Sequence, residues 1–252
     1  MQPLLLLLAF VLSPGAEAGE IIGGHEVKPH SRPYMALVHP LNEEKRKGCG
    51  GVLVRQDFVL TAAHCWRSSL TVTLGAHNIK KQERTQQVIP VKKTIRHPHY
   101  NSKTYANDIM ILKLTGKAEL TAAVQPLSLH WGTAQVMPGE VCSVAGWGRV
   151  APNGTGSDTL QEVELTVQQD RVCESYFRNY NSTTQLCVGD PKEKKSSYKG
   201  DSGGPFVCKN VIQGLVSYGR SGGLPPRAYT KVSSFLPWIK KTMKGRAPWP
   251  RG

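Results

Sequence analysis

The chain predicts an all-β fold, and three observations carry that prediction. Its apolar residues fall mostly in short runs rather than at helical spacing. Glycine and proline, 25 and 17 of 252 residues, recur between those runs as turn formers. Only one segment, near the C-terminal end, reads convincingly as an amphipathic helix. Taken in order, the runs that read as strands include Gly51-Val52-Leu53-Val54, Phe58-Val59-Leu60, Val88-Ile89-Pro90-Val91 and Val211-Ile212-Gln213-Gly214-Leu215-Val216. The helix is Ser233 to Lys244, where Phe235, Leu236, Trp238, Ile239 and Met243 are spaced among lysines. The length suits one all-β barrel or sandwich unit. No repeat of fixed period and no low-complexity block interrupts it.

The N-terminal run Leu4 to Leu8 with Ala9-Phe10-Val11-Leu12 is too short to span a bilayer comfortably, and Ala16-Glu17-Ala18 puts small residues where a signal peptidase reads. Residues 1–18 therefore read as a signal peptide, with the terminal amine as the sole positive charge ahead of the apolar run. No later run is long enough for a membrane span. Secretory entry leaves the six cysteines oxidised. Six cysteines can pair in about 15 ways, and their spacing does not choose among them. No spacing resembles a zinc site, so no metal is expected.

Three separated segments carry chemistry. Gly200-Asp201-Ser202-Gly203-Gly204-Pro205 presents a serine among glycines, Thr61-Ala62-Ala63-His64-Cys65 a histidine, and Asn107-Asp108-Ile109-Met110-Ile111-Leu112 an aspartate that enters an apolar stretch. Singly, each has an ordinary reading as a turn serine, a structural histidine or a strand cap. Together they answer a chemical need. A serine hydroxyl is too weakly acidic to attack an amide unaided, so it needs a base beside it, and the base needs an anchor. The glycines leave room for close backbone approach, and a charge entering an apolar run is costly unless paired.

In this order and wording the segments closely resemble the chymotrypsin-like serine proteases. The resemblance implies two packed six-stranded antiparallel β-barrels with a C-terminal α-helix. The active site would lie in the cleft between them, His64 and Asp108 from the first barrel and Ser202 from the second. It implies an oxyanion hole from the N–H groups of Gly200 and Ser202, no cofactor, and the disulfides Cys49–Cys65, Cys142–Cys208 and Cys173–Cys187. Most such enzymes have a further bridge beside the specificity pocket, but the residue before Lys199 and Gly200 is Tyr198, not Cys. That absence resembles the granzyme, cathepsin G and mast-cell chymase branch. Ile21-Ile22-Gly23-Gly24-His25-Glu26, Leu74-Gly75-Ala76-His77-Asn78-Ile79, Val144-Ala145-Gly146-Trp147-Gly148 and Trp238 to Lys244 extend the likeness over nearly the whole chain.

The branch also implies that Gly19-Glu20 is an activation dipeptide, removed by a dipeptidyl peptidase to expose the amine of Ile21, which then pairs with Asp201. The protease domain would be 21–244, and 245–252 reads as a disordered tail without assigned function. Substrate-binding residues implied by the likeness are Ser196, Ser197 and Lys199 on one stretch, with Ser217, Tyr218, Gly219 and Arg227 on the other. Trypsin-like enzymes have Asp where this chain has Ser196, so cleavage after Lys or Arg is not expected. In the aspartate-cutting granzymes an arginine equivalent to Arg227 projects into the pocket and favours an acidic side chain before the cut. With Arg227 turned outward, the pocket would instead suit large apolar residues, as in chymases.

Net charge is +14, from 32 basic and 18 acidic residues. The clusters Lys45-Arg46-Lys47, Lys80-Lys81, Lys92-Lys93, Lys192 with Lys194-Lys195, and Lys240-Lys241 are scattered and form no nucleic-acid motif. A sulfated glycosaminoglycan, carried by a granule proteoglycan, fits this charge, and a merely soluble cationic surface is the alternative. Asn153-Gly154-Thr155 and Asn181-Ser182-Thr183 are N-glycan acceptor sequons. The expectation is a monomeric serine endopeptidase, stored in the cytolytic granules of cytotoxic lymphocytes. It would act in the target-cell cytosol after Asp in proteins such as caspase precursors, promoting cytolysis and apoptosis. The competing class is a non-catalytic cationic binding protein on the same fold.

Overall fold

In the computed structural model the described residues are 21–41, 48–129, 135–149 and 154–244. The leader, the dipeptide 19–20, the cluster Lys45-Arg46-Lys47, Asn153 and the tail lie outside them. Six strands form the first half: β2 (Met35–Pro40), β3 (Cys49–Arg55), β4 (Phe58–Thr61), β5 (Leu70–Leu74), β6 (Gln87–Arg96) and β7 (Met110–Leu114). They close into an antiparallel barrel in the order β2-β3-β4-β7-β6-β5, with β5 returning to β2. The runs read as strands fall inside β3, β4 and β6. Leu53, Val59, Leu74 and Leu112 share the barrel's inner cluster, whereas Val52 and Leu60, on the opposite faces of their strands, pack in a second cluster outside it; all are excluded from solvent. β6 differs: its alternate residues face water, with Val88 more than half exposed, so this run is one face of a strand rather than a buried one.

The second half holds β1 (His25–Glu26), β8 (Val141–Gly146), β9 (Gln161–Thr166), β10 (Gln185–Val188), β11 (Pro205–Cys208), β12 (Val211–Gly219) and β13 (Arg227–Lys231). The sheet order is β1-β9-β8-β11-β12-β13-β10. An antiparallel bridge between Val167 and Val188 brings the end of β9 to β10, and Gln168 N–H donates to Cys187 O at 2.8 Å. Six of the strands thus curl round on themselves, with the short β1 added on β9. The helix expected at Ser233–Lys244 begins as a 3-10 turn, Val232–Phe235, and becomes α-helical as α2 over Leu236–Met243. Pro237 fits a first helical turn because it has no N–H to leave unpaired there. A seven-residue helix, α1 (Asp170–Tyr176), gave no sequence signal, since two turns are too short to display a repeat.

The cysteines pair Cys49–Cys65, Cys142–Cys208 and Cys173–Cys187. The first ties β3 to the turn after β4. The halves meet through glycines. Gly50 N–H donates to Ser202 O at 2.8 Å, and a Cβ on Gly50 would lie 2.8 Å from Gly204 Cα. Gly203, at φ +76°, leaves space that a Cβ would bring within 2.1 Å of Thr61 Oγ1 and 2.7 Å of Gly50 O. Replacing Gly203 by Ala is therefore expected to cost about 2–4 kcal/mol, from positive-φ strain plus backbone collision. Gly116→Ala, where nothing lies within 4 Å of an added Cβ, should stay within about 0.5 kcal/mol. Urea unfolding of both variants checks this.

Candidate active site

His64 sits on a 3-10 turn, Ala63–Cys65, that follows β4 and is held by the Cys49–Cys65 bridge. Asp108 lies at the apex of a tight turn in which Ile109 N–H donates to Asn107 O at 2.8 Å. Asn107 takes φ 55°, a left-handed conformation that asparagine tolerates. The carboxylate of Asp108 is almost fully buried and collects three donors: His64 N–H at 2.9 Å, His64 Nδ1 at 2.7 Å and Ser217 Oγ at 2.5 Å. Because an ionised carboxylate only accepts, Nδ1 carries the proton of a neutral His64, and Nε2 is left as a base. A further bond, Thr230 Oγ1 to Asp108 O at 2.8 Å, fixes this segment to β13 of the other half.

Ser202 is half-buried in the glycine turn before β11. Its carbonyl accepts from Gly50 and lies 3.7 Å from Cys65 Sγ, so its main chain rests against the residue that follows His64. The ligand atoms of Cys49, His64 and Cys65 cluster here, but both sulfurs are consumed by the disulfide and cannot ligate a metal as thiolates.

Gly200 takes φ +104°, and a Cβ there would lie 2.7 Å from Gly148 Cα. Lys199 O accepts from Arg149 N–H at 2.7 Å. In a trans peptide the N–H lies opposite the carbonyl, so the Gly200 N–H points away from Arg149. Among the described residues neither Gly200 nor Ser202 N–H has a backbone acceptor.

Asp201 is wholly buried. Its carboxylate accepts from Gly148 N–H at 2.9 Å and Tyr198 N–H at 2.8 Å. Gly146 and Gly148 are glycines because a Cβ on either would fall within 2.4 Å of Asp201 Oδ1. Burial pushes the Asp201 carboxyl up to about 6, against the two N–H donors and the positive field of Arg227. Ile21 is fully buried in the core of the second half with Val144 and Val163, and Ser196 N–H donates to Ile22 O at 3.0 Å.

The stretch Ser196-Ser197 is buried, with Ser196 Oγ donating to Ser197 O and Ser197 Oγ 2.7 Å from Tyr229 Oη. Arg227, at the start of β13 opposite Gly219, is 8% exposed, and its Nε and Nη1 are buried without a hydrogen-bond partner. A Cβ on Gly219 would sit 2.8 Å from Arg227 Cζ. The arginine is turned inward, and burial lowers its pKa against the stabilising fields of Tyr229, Asp201 and Tyr198. Lys199 is exposed beside Gly200, where a cavity of about 370 Å³ is bounded by Trp147, Arg149, Thr155 and Lys199. Asn181 is exposed in the turn before β10.

The sequence reading named Ser217 for its main chain, on a substrate-facing strand, and missed that its side chain serves Asp108; it missed Tyr105 altogether. Tyr105, at φ 57°, packs edge-on to His64 with ring centroids 5.6 Å apart and tilts against Tyr218 at 5.5 Å. A tyrosine in a polar loop carries no signal of such a place.

The chain matches the family model described as Trypsin over residues 21–239. It belongs to this family, and the fold and family together make it a serine endopeptidase. Within the family it falls in the granzyme and cathepsin G branch. It is 67% identical to granzyme B of Homo sapiens over 245 residues, covering 97% of this chain and 99% of that one. It is 65% identical to granzyme B(G,H) of Mus musculus over the same shares, and 56% identical to cathepsin G of Homo sapiens over 97% of this chain and 95% of that one. A solved structure titled "Structure of GrC" aligns with TM-score 0.84 and 57% identity, over 89% of this chain and all of that one.

The raised pKa of Asp201 has a stability signature in the intact chain, where Ile21 still carries an amide nitrogen. The folded state holds the Asp201 proton up to about pH 6, whereas the unfolded chain releases it near about pH 4. This share of stability is complete below about pH 4 and lost as pH rises through about 6, a fall of about 3 kcal/mol. Urea unfolding across that window should show the intact chain losing about 3 kcal/mol relative to Asp201→Asn, the difference that isolates this group from the others titrating there.

Proposed function

We propose that this chain is a granule-stored endopeptidase of granzyme B type, cutting proteins of a target cell after aspartate. The observation that carries the reading is the Arg227 guanidinium, inside the protein with Nε and Nη1 unpartnered. A buried cation without a carboxylate is costly, and removing its desolvation penalty takes an anion with matching geometry. A substrate Asp supplies a planar carboxylate that can accept two N–H donors at once. A large apolar side chain would leave the same donors unpaired, which disfavours the chymase-like alternative.

The chemistry follows from the triad. His64 Nε2 takes the Ser202 proton as Oγ attacks the scissile carbonyl, then returns it to the leaving amine. Asp108 holds the ring in the tautomer that makes Nε2 basic and stabilises the imidazolium that forms. The Gly200 and Ser202 N–H groups receive the developing oxyanion. Water then releases the acyl group. The intact donors around Asp108 speak against a non-catalytic binding protein. Replacing Asp108 by Asn should lower kcat by about 10⁴-fold through the wrong tautomer, measured on a peptide ester or amide.

Activation removes the dipeptide Gly19-Glu20 by a dipeptidyl peptidase once the leader 1–18 has been cleaved, and the new Ile21 amine neutralises Asp201. Storage on sulfated proteoglycan would use the basic surface, to which exposed Lys80, Lys81, Lys92 and Lys93 contribute. The kinship with granzyme B supports extending this reading to release from the granules of cytotoxic lymphocytes, entry to the target cytosol and caspase-precursor substrates.

A peptide library varied before the cut tests the reading on chain trimmed to Ile21. Cleavage after Asp should vanish in Ser202→Ala and fall by about 100-fold or more in Arg227→Gly, the loss of a charged bidentate contact. Cleavage after Phe, Tyr or Met by the parent enzyme would overturn the role of Arg227.

A further inference from the structure

The wall of the Arg227 pocket lacks the disulfide that most chymotrypsin-like enzymes place there, and the structure shows what fills the gap. Gly223 is buried, at φ +75°, with Tyr198 against it: a Cβ on Gly223 would lie 3.0 Å from Tyr198 Cδ2 and 3.1 Å from Cγ. The third neighbour comes from the other end of the chain. Ile22 Cδ1 would lie 2.6 Å from the same Cβ. Ile22 also accepts the Ser196 N–H through its carbonyl at 3.0 Å. The residue next to the buried Ile21 therefore touches both segments that frame the pocket, Ser196–Tyr198 by a hydrogen bond and Gly223 by its δ-methyl.

Tyr198 closes the circuit. Its N–H is held by Asp201 at 2.8 Å, and its ring centroid lies 6.0 Å from Arg227 Cζ. A packed contact of this kind resists displacement because an interior at close-packed density has no free volume to yield into. A wall without a covalent bridge takes its position from the groups pressed on it.

We infer that Ile22 is a positioning residue for the specificity pocket: its side chain wedges Gly223 against Tyr198 and replaces the missing bridge by packing. The inference rests on the protease reading above. Ile22 acts on the pocket alone, by packing, whereas Asp201 reaches both the oxyanion donors beside it and, through Tyr198 N–H, the pocket.

The test uses chain trimmed to Ile21 carrying Ile22→Ala, Ile22→Val, Gly223→Ala or Ile22→Ala with Gly223→Ala. Two readouts are taken: kcat and KM on an Asp-containing peptide, and the rate of inactivation by a small fluorophosphonate, which needs Ser202, His64 and the oxyanion hole but not the pocket. Ile22→Ala should raise KM by about 10-fold while fluorophosphonate inactivation stays within about 2-fold, and Ile22→Val should shift KM by about 3-fold, as expected for loss of one or a few packed methyl groups. The double variant should be no worse than Gly223→Ala alone, because the added methyl enters the space Ile22 has left. An equal fall in both readouts would make Ile22 a part of folding or insertion only. Unchanged KM, or losses that multiply in the double variant, would equally overturn the inference. Parent chain that does not cut after Asp would sink the protease specificity reading instead, independently of Ile22.

Discussion

A single buried carboxylate organises this molecule. Asp201 sits where water cannot reach, between backbone N–H groups of Gly148 and Tyr198, with glycine required at 146 and 148 to let it in. Its neighbours in sequence are Ser202, the proposed nucleophile, and Gly200, a proposed oxyanion donor. Its hydrogen bond to Tyr198 reaches the residue whose ring lies 6.0 Å from the Arg227 guanidinium. An isolated buried charge costs several kcal/mol, so whether Asp201 is neutralised by a proton or by a cation decides how firmly these parts are held.

Two kinds of contact join the halves, main chain against main chain at the glycines and side-chain donors converging on Asp108. Gly50, Gly203 and Gly204 bring main chain against main chain, so Ser202 arrives beside the His64 turn by backbone hydrogen bonds rather than by a flexible contact. Asp108 receives donors from both halves: His64 on its own side, Ser217 from β12 on the other, with Thr230 of β13 on its carbonyl. Orientation of the base is thus shared across the cleft. That arrangement suits catalysis by preorganised groups, which need not reorganise as charge develops.

How far the chain could be read in advance follows from range. Short apolar runs between turn residues are local, so β3, β4 and β12 were legible, as were the three segments holding His64, Asp108 and Ser202. The 3-10 start of the terminal helix was not, because apolar spacing over a single turn does not separate 3-10 from α geometry. Ser217 and Tyr105 act on groups far away in sequence, and nothing in their neighbours announces it. Arg227 was legible as a residue type only. Its inward direction depends on β12 and β13 pairing Gly219 with Arg227, and on the absence of a side chain at 219. Ile22 lies further still from any local signal, since its partners are Ser196 and Gly223.

The central claim is that neutralising Asp201 with the Ile21 amine readies the Arg227 pocket for an acidic ligand. The most direct measurement is the affinity of an Asp-ended peptide acid for Ser202→Ala protein in two forms, one beginning at Ile21 and one keeping Gly19-Glu20, by calorimetry near neutral pH. The account predicts binding about 100-fold tighter for the form beginning at Ile21, or about 3 kcal/mol, the scale of one buried charge partnership. Equal affinity of the two forms would contradict it.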